Sequence, residues 1–253
     1  GNIATGRNLS SWTEVGGEDS DRPMIELDRA QTSSLVDKFS EKPLRHIEKE
    51  NAWTMAIVKI SSGRREEAIP LLLRLYFANP LEASRGYIVT ETLYRSGLSV
   101  DAIALMRPLA KVYADHPIGQ FMIGFISLQD GELDKAREMF ELSEKSNPPF
   151  PVLYQYLGQV YLLLRLPEQA IKAFEKYIEL DPCLAKAYLG LSESYLRCGR
   201  FEEAAGAALD AVGTNFNEPS AHVTLGRAMA QLKEYDRSRE AYETALRLDP
   251  NSK

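Results

Sequence analysis

The feature that most constrains this chain is a self-similarity with a period of 34 residues. Stepping by 34 from the segment 151–184, Gly158 falls on Gly124, Ser192 and Gly226, and Ala170 falls on Ala68, Ala102, Ala136, Ala204 and Ser238. Phe174 falls on Phe140 and Tyr242, and Pro182 on Pro80, Pro148 and Pro250. Gly63, Gly97, Gly131 and Gly199 share one further column. The register runs without insertion through six units, 49–82, 83–116, 117–150, 151–184, 185–218 and 219–252. A repeat of this length cannot bury its apolar face alone, so the units must stack.

Each column has a physical reason. Within a unit, apolar residues recur twice at helical spacing, as in Tyr154, Leu157, Tyr161 and then Ala170, Ile171, Phe174, Tyr177. The glycine between the two runs accepts the left-handed conformation that ends a helix. Small residues in the Gly158 and Ala170 columns let the two helices approach, and the Phe174 column fills the space between neighbouring units. Pro182 and its equivalents cannot continue a helix and force the turn to the next unit. Pro108 falls in the middle of the second helix of the second unit, where a lost backbone bond and a clash near Ala104 predict a kink or an early break.

The pattern of an aromatic, Leu, Gly and Tyr, then Ala, Phe and a terminal Pro, resembles the tetratricopeptide repeat. The fourth unit matches at Tyr154, Leu157, Gly158, Tyr161, Ala170, Phe174 and Pro182. The third and sixth match well; the second departs at Thr90 and Met106, the fifth at Ser192 and Phe216, and the first is also degenerate. The resemblance implies an all-α fold, a right-handed superhelical solenoid of six helix pairs with no β-sheet. It also implies that the first helix of each pair lines a concave groove. The inward positions would be Trp53, Tyr87, Phe121, Gln155, Leu189 and Val223 in one column, and Ile57, Glu91, Phe125, Gln159, Glu193 and Arg227 in the next. The amino-terminal half of that groove reads as an exposed aromatic stripe, which marks either a contact surface or simply the residue type this repeat prefers at the column. The carboxy-terminal half is mixed polar. Chaperone adaptors of the family hold a carboxylate with Lys and Asn at these positions; both are missing here, which disfavours that activity.

Residues 1–48 carry no repeat. The stretch from Ser10 to Pro23 is polar and reads as loop, and the spacing of Leu35, Val36 and Phe39 predicts a short helix near 31–40. Trp12, Ile25, Leu35 and Phe39 are candidates to pack on the solenoid and cap its first repeat; the other reading of this leader is disorder. Through Ser11-Trp12, the acidic-glycine stretch from Gly16 to Asp21 and Leu35-Val36, the leader also resembles the linker after the catalytic domain of type I phosphodiesterases of the alkaline-phosphatase superfamily that end in such repeats. That resemblance implies a regulatory or assembly appendage of a larger hydrolase, whose metal-binding residues would lie upstream. At the other end, Tyr235, Tyr242, Ala245 and Leu246 are expected on an open flank available for self-association.

Little else points to chemistry. A formal charge of −6 with no clustered Lys and Arg argues against nucleic acid. No apolar run approaches the ~20 residues that cross a bilayer. Cys183 and Cys198 have no ligand-spaced neighbours and read as free thiols, with no metal site. His46, His116 and His222 stand apart, and His222 occupies the aromatic column, so it packs between helices. No nucleophile–base grouping or phosphate loop is present, so no catalytic residue and no cofactor is expected. The chain opens on Gly1 and reads as a piece of a longer protein, which leaves the localisation of the parent open. The expected function is a protein–protein interaction scaffold that takes a peptide or helix in its groove.

Overall fold

The computed structural model describes residues 46–77, 82–145 and 150–250. Twelve α-helices occupy them, with no strand among the described residues. The first helices of the repeats are α1 (His46–Ser61), α3 (Ala83–Arg95), α5 (Pro117–Gln129), α7 (Pro151–Leu163), α9 (Ala185–Arg197) and α11 (Pro219–Gln231). The second helices are α2 (Arg65–Phe77), α4 (Ser99–Val112), α6 (Leu133–Lys145), α8 (Pro167–Leu180), α10 (Phe201–Thr214) and α12 (Tyr235–Leu248). All six second helices, and the first helices from α3 onward, start 34 residues apart. Only α1 departs, starting at His46 rather than at residue 49.

The chain divides into two compact units, one ending at Gly131 and one beginning at Glu132. In the first, α1 pairs with α2 and α3 with α4, and α5 packs on α4 and beside α3. In the second, α6 packs on α7, followed by the pairs α7–α8, α9–α10 and α11–α12. Here too the first helices lie side by side, α7 against α9 and α9 against α11.

The turns inside the repeats follow from local chemistry. Gly63, Gly97, Gly131 and Gly199 sit at φ between 72° and 86°, the left-handed region their column requires. The following N–H reaches back to close the helix end, as in Arg64 N–H to Lys59 O (2.8 Å) and Arg200 N–H to Tyr195 O (3.0 Å). In two repeats the same position holds Arg165 (φ 60°) and Lys233 (φ 63°), where a Cβ makes this conformation costly. Proline at the first helical position, where its missing N–H is not needed, opens α5, α7, α8 and α11. Acidic pairs Glu66-Glu67 and Glu202-Glu203 lie in the first turns of α2 and α10, favourable to the helix dipole.

Packing explains the remaining columns. A Cβ on Gly158 would come within 2.7 Å of the Phe174 ring, and one on Gly190 within 2.3 Å of it. Phe174 therefore fills a slot between the first helix of its own pair and the first helix of the next. Where serine replaces a small residue, its hydroxyl bonds across the pair. Ser192 donates to the carbonyl of Ala204 (2.7 Å), and Ser238 donates to the carbonyl of Gly226 (2.8 Å). These are reciprocal uses of the same two columns.

Three expectations need correction or lie outside the description. The early break at Pro108 does not occur: α4 runs unbroken from Ser99 to Val112. Leu105, Met106 and Leu109 around the proline are buried, and burial of three such side chains, about 1.5–3 kcal/mol each, outweighs a cost of ~3 kcal/mol. Tyr76 also donates to the buried carbonyl of Leu105 (2.6 Å). On the flank of α12, Tyr235 and Leu246 are exposed as expected, but Ala245 is buried and Tyr242 is half-buried against Gly226. The predicted helix near 31–40, the packing of Trp12, Ile25, Leu35 and Phe39, and Pro80 and Pro148 lie outside the described residues.

Candidate binding faces on the first helices

The two predicted inward columns divide by unit. In the first unit, Trp53, Tyr87, Phe121 and Phe125 are all at most 5% exposed. The expected exposed aromatic stripe is therefore a buried one, because these rings pack on one another and on neighbouring side chains. Tyr87 meets Phe121 edge to face at 5.3 Å, and Tyr94 meets Phe125 the same way at 5.0 Å. The Arg85 guanidinium stands 5.2 Å from the centre of the Trp53 ring. It also forks onto Glu50 at 2.6 and 3.1 Å, tying α3 to α1, and this bond raises its pKa. Ile57 and Glu91 are half-buried, and Glu91 is held by Arg95 one turn on (2.8 Å).

In the second unit the same columns are less buried and more polar. Leu189, Val223 and Gln155 are half-buried, whereas Gln159 and Arg227 are exposed. The Gln155 amide oxygen accepts from the Tyr177 hydroxyl (3.1 Å), which orients its NH2 group. Glu193 joins α9 to α11: its carboxylate accepts from Arg197 Nε (2.9 Å) in its own helix and from Arg227 Nη1 (2.7 Å) in α11. Arg197 in turn donates to the carbonyl of Leu162 in α7 (2.6 Å). A polar ladder thus runs from α7 through α9 to α11. It carries two cations and one carboxylate.

Arg85 and Arg197 were not singled out in the sequence, and Tyr177 was read there only as a packing position of the second helix. A weak signal was present, since Arg85 and Glu50, and Arg197 and Leu162, are each 35 residues apart, one repeat plus one residue. The Tyr161 and Tyr195 hydroxyls similarly reach back to Glu141 (3.1 Å) and Glu175 (3.4 Å) of the preceding repeat. Burial, followed by these carboxylates, pushes both phenols above their ordinary pKa, so they act as donors.

The two histidines with described side chains make structural contacts. His222 is buried, with Nε2 2.8 Å from the Phe216 carbonyl and its ring edge-on to Phe216. His116 caps α5, Nδ1 accepting from the Ile118 N–H (3.2 Å), and burial lowers its pKa. Cys183 and Cys198 are free thiols, and burial together with Glu168 raises the pKa of Cys198, away from a reactive thiolate. Among the described residues no group of three or more His, Cys, Asp or Glu is placed to hold a metal ion. No described helix is long and apolar enough to cross a membrane.

Family models described as tetratricopeptide repeat match residues 157–218 and 219–252. The chain thus carries tetratricopeptide repeats over 157–252, and the described helices extend the same architecture back to α1. The chain is 31% identical over 122 residues to the TPR repeat-containing protein YpiA of Bacillus subtilis (strain 168), covering 47% of this chain and 28% of that protein. It is 29% identical over 90 residues to the peroxisomal targeting signal receptor of Saccharomyces cerevisiae, covering 36% of this chain and 15% of the receptor. With the Hsp70-Hsp90 organising protein of Plasmodium falciparum it shares 30% identity over 86 residues, 34% of each chain. The chain therefore spans about a third or less of the length of these relatives. Among solved structures, the APC/C hetero-tetramer Cut9-Hcn1 aligns with a TM-score of 0.71 at 17% identity, covering 88% of this chain and 43% of that one. YrrB, described as a TPR protein with an unusual peptide-binding site, aligns at 0.55 and 16% identity over 67% of this chain and 88% of that one. These structural likenesses establish the all-α, TPR-like solenoid fold.

Proposed function

We propose that the chain is a protein-interaction scaffold whose recognition face is formed by α7, α9 and α11. The occupant is a polar peptide or helix carrying an acidic group. The observation that carries this reading is the ladder from the Leu162 carbonyl through Arg197 and Glu193 to Arg227, with Gln159 open beside it. The ladder preorganises two guanidinium groups and leaves each partly exposed, at 43% and 49%, so an incoming carboxylate meets fixed donors. The receptor and organiser names of the relatives are in keeping with a binding role. The phosphodiesterase-linker resemblance has no counterpart among these relatives.

Panning a random peptide library on the full chain, then measuring the enriched peptides by fluorescence anisotropy, tests the reading. Enriched peptides should carry an acidic residue and lose about tenfold or more in affinity on Arg227→Ala, about 1.4 kcal/mol. Unchanged affinity with both Gln159→Ala and Arg227→Ala would remove this face from consideration.

A second reading, self-association through α12, is favoured by the exposure of Tyr235 (68%) and Leu246 (53%) on that helix. Sedimentation of the chain and of Tyr235→Glu/Leu246→Glu tests it: a dimer that dissociates with the double substitution is expected.

A further inference from the structure

In the first unit α2 packs on α3, and the α1–α2 turn meets the end of α3 at a cleft of about 400 Å³. Gly63 to Glu67 form one wall, and Arg95 and Ser96 form the other. Some of the charged groups around it are already satisfied. Glu67 is taken by Lys59 and lies 3.8 Å from Arg64, and Arg95 is held by Glu91 (2.8 Å). Arg65 is different: half-buried at the start of α2, it makes no hydrogen bond or ion pair among the described residues. On the opposite wall the Ser96 Oγ is buried without a hydrogen-bond partner. A buried hydroxyl left without a partner is costly, and the Arg65 guanidinium keeps five N–H donors to satisfy. The first-turn N–H groups of α2 also have no acceptor within the helix. Donors without acceptors therefore gather on both walls.

We propose that this cleft binds a phosphate group, as a site separate from the peptide face of the second unit. A phosphate dianion brings several strong acceptor oxygens in a tetrahedral array, enough to engage donors on two walls at once. Arg65 and the first turn of α2 hold it from one side, and Ser96 with Arg95 from the other. A carboxylate suits the cleft less well. It brings one charge and two oxygens to a wall that already carries Glu66 and Glu67. The cleft is larger than a bare phosphate, which leaves room for the side chain or small molecule that carries it. Once bound, the phosphate ties the second helix of one repeat to the first helix of the next.

Titration of the full chain at constant ionic strength, followed through its arginine side-chain NMR signals, tests the site. The probes are inorganic phosphate, N-acetyl-O-phosphoserine amide and N-acetylglutamate amide. Saturable shifts centred on Arg65 are expected with both phosphates. Arg65→Gln should weaken them about tenfold or more, and Ser96→Ala several-fold. Arg74→Gln, at an exposed position further along α2, should leave them unchanged. Tighter binding of the phosphoserine probe assigns the site to a phosphorylated side chain. Equal or tighter binding of inorganic phosphate assigns it to a small phosphate compound, and either result supports the proposal. Shifts that stay linear in phosphate, equal affinity for the glutamate probe, or unchanged affinity in Arg65→Gln would each overturn it. Thermal melts supply an independent measure: phosphate should raise Tm more in the parent and in Arg74→Gln than in Arg65→Gln. An equal rise in all three would place the phosphate elsewhere, and the proposal would fall.

Discussion

Helices α3 and α5 of the first unit and α7, α9 and α11 of the second use the same two columns of the repeat in opposite ways. In the first, Tyr87, Phe121 and Phe125 are sealed edge to face, and Arg85 covers Trp53. In the second, Gln159 and Arg227 remain open and a three-helix ladder replaces ring packing. One register can therefore close over packed rings or carry an ion-paired ladder with exposed ends, depending on which side chains meet in neighbouring first helices. Residue type in the column does not decide this alone; the company of the side chain does.

The sharpest way to break this contrast is to truncate one residue from each side of it. Phe121→Ala should cost about 3–5 kcal/mol in urea unfolding, because it opens a cavity among buried rings. Gln159→Ala, at an exposed position, should fall within about 0.5 kcal/mol of the parent. Comparable losses from the two would erase the distinction. Next in size is Gly190→Ala in the second unit, which forces a methyl against the Phe174 ring and should cost about 1–3 kcal/mol by the same assay. A neutral result would mean that the slot is looser than its 2.3 Å approach indicates.

Two smaller effects probe the turns of each unit. Lys233→Gly should stabilise the second unit by roughly 1 kcal/mol, since glycine adopts φ near 63° without the Cβ penalty; a lower Tm would contradict this. In the first unit, His116 must be neutral to accept the Ile118 N–H, and burial holds its pKa below the ordinary 6.5. The folded chain thus binds fewer protons at this site than the unfolded one. Its contribution is complete above pH 6.5 and is lost as pH falls through the folded value. His116→Asn, which keeps a capping acceptor, should remove this component, worth about 1 kcal/mol or less, from the pH dependence of Tm.

Much of the fold was legible because its constraints are local and repeated. Gly63, Gly97 and Gly199 announce left-handed turns, and the proline and small-residue columns mark where helices begin and touch. The fate of Pro108 was not legible, because tertiary burial of Leu105, Met106 and Leu109 overrides a local penalty. Nor was the burial of Trp53, Tyr87 and Phe121. Their column indicates which way a side chain leaves its helix, but not that Arg85 and the neighbouring rings close over it. Arg197 escaped notice for a related reason: its partners are a backbone carbonyl of another repeat and a carboxylate one turn away, and neither leaves a motif.

The central claim is that recognition belongs to the first helices of the second unit, while the aromatic columns of the first are structural. Amide hydrogen exchange on the full chain, with and without a library-selected acidic peptide, tests it most directly. The account predicts added protection in α7, α9 and α11, with α3 and α5 unchanged. Protection concentrated in α3 and α5, leaving α9 and α11 unaffected, would contradict it.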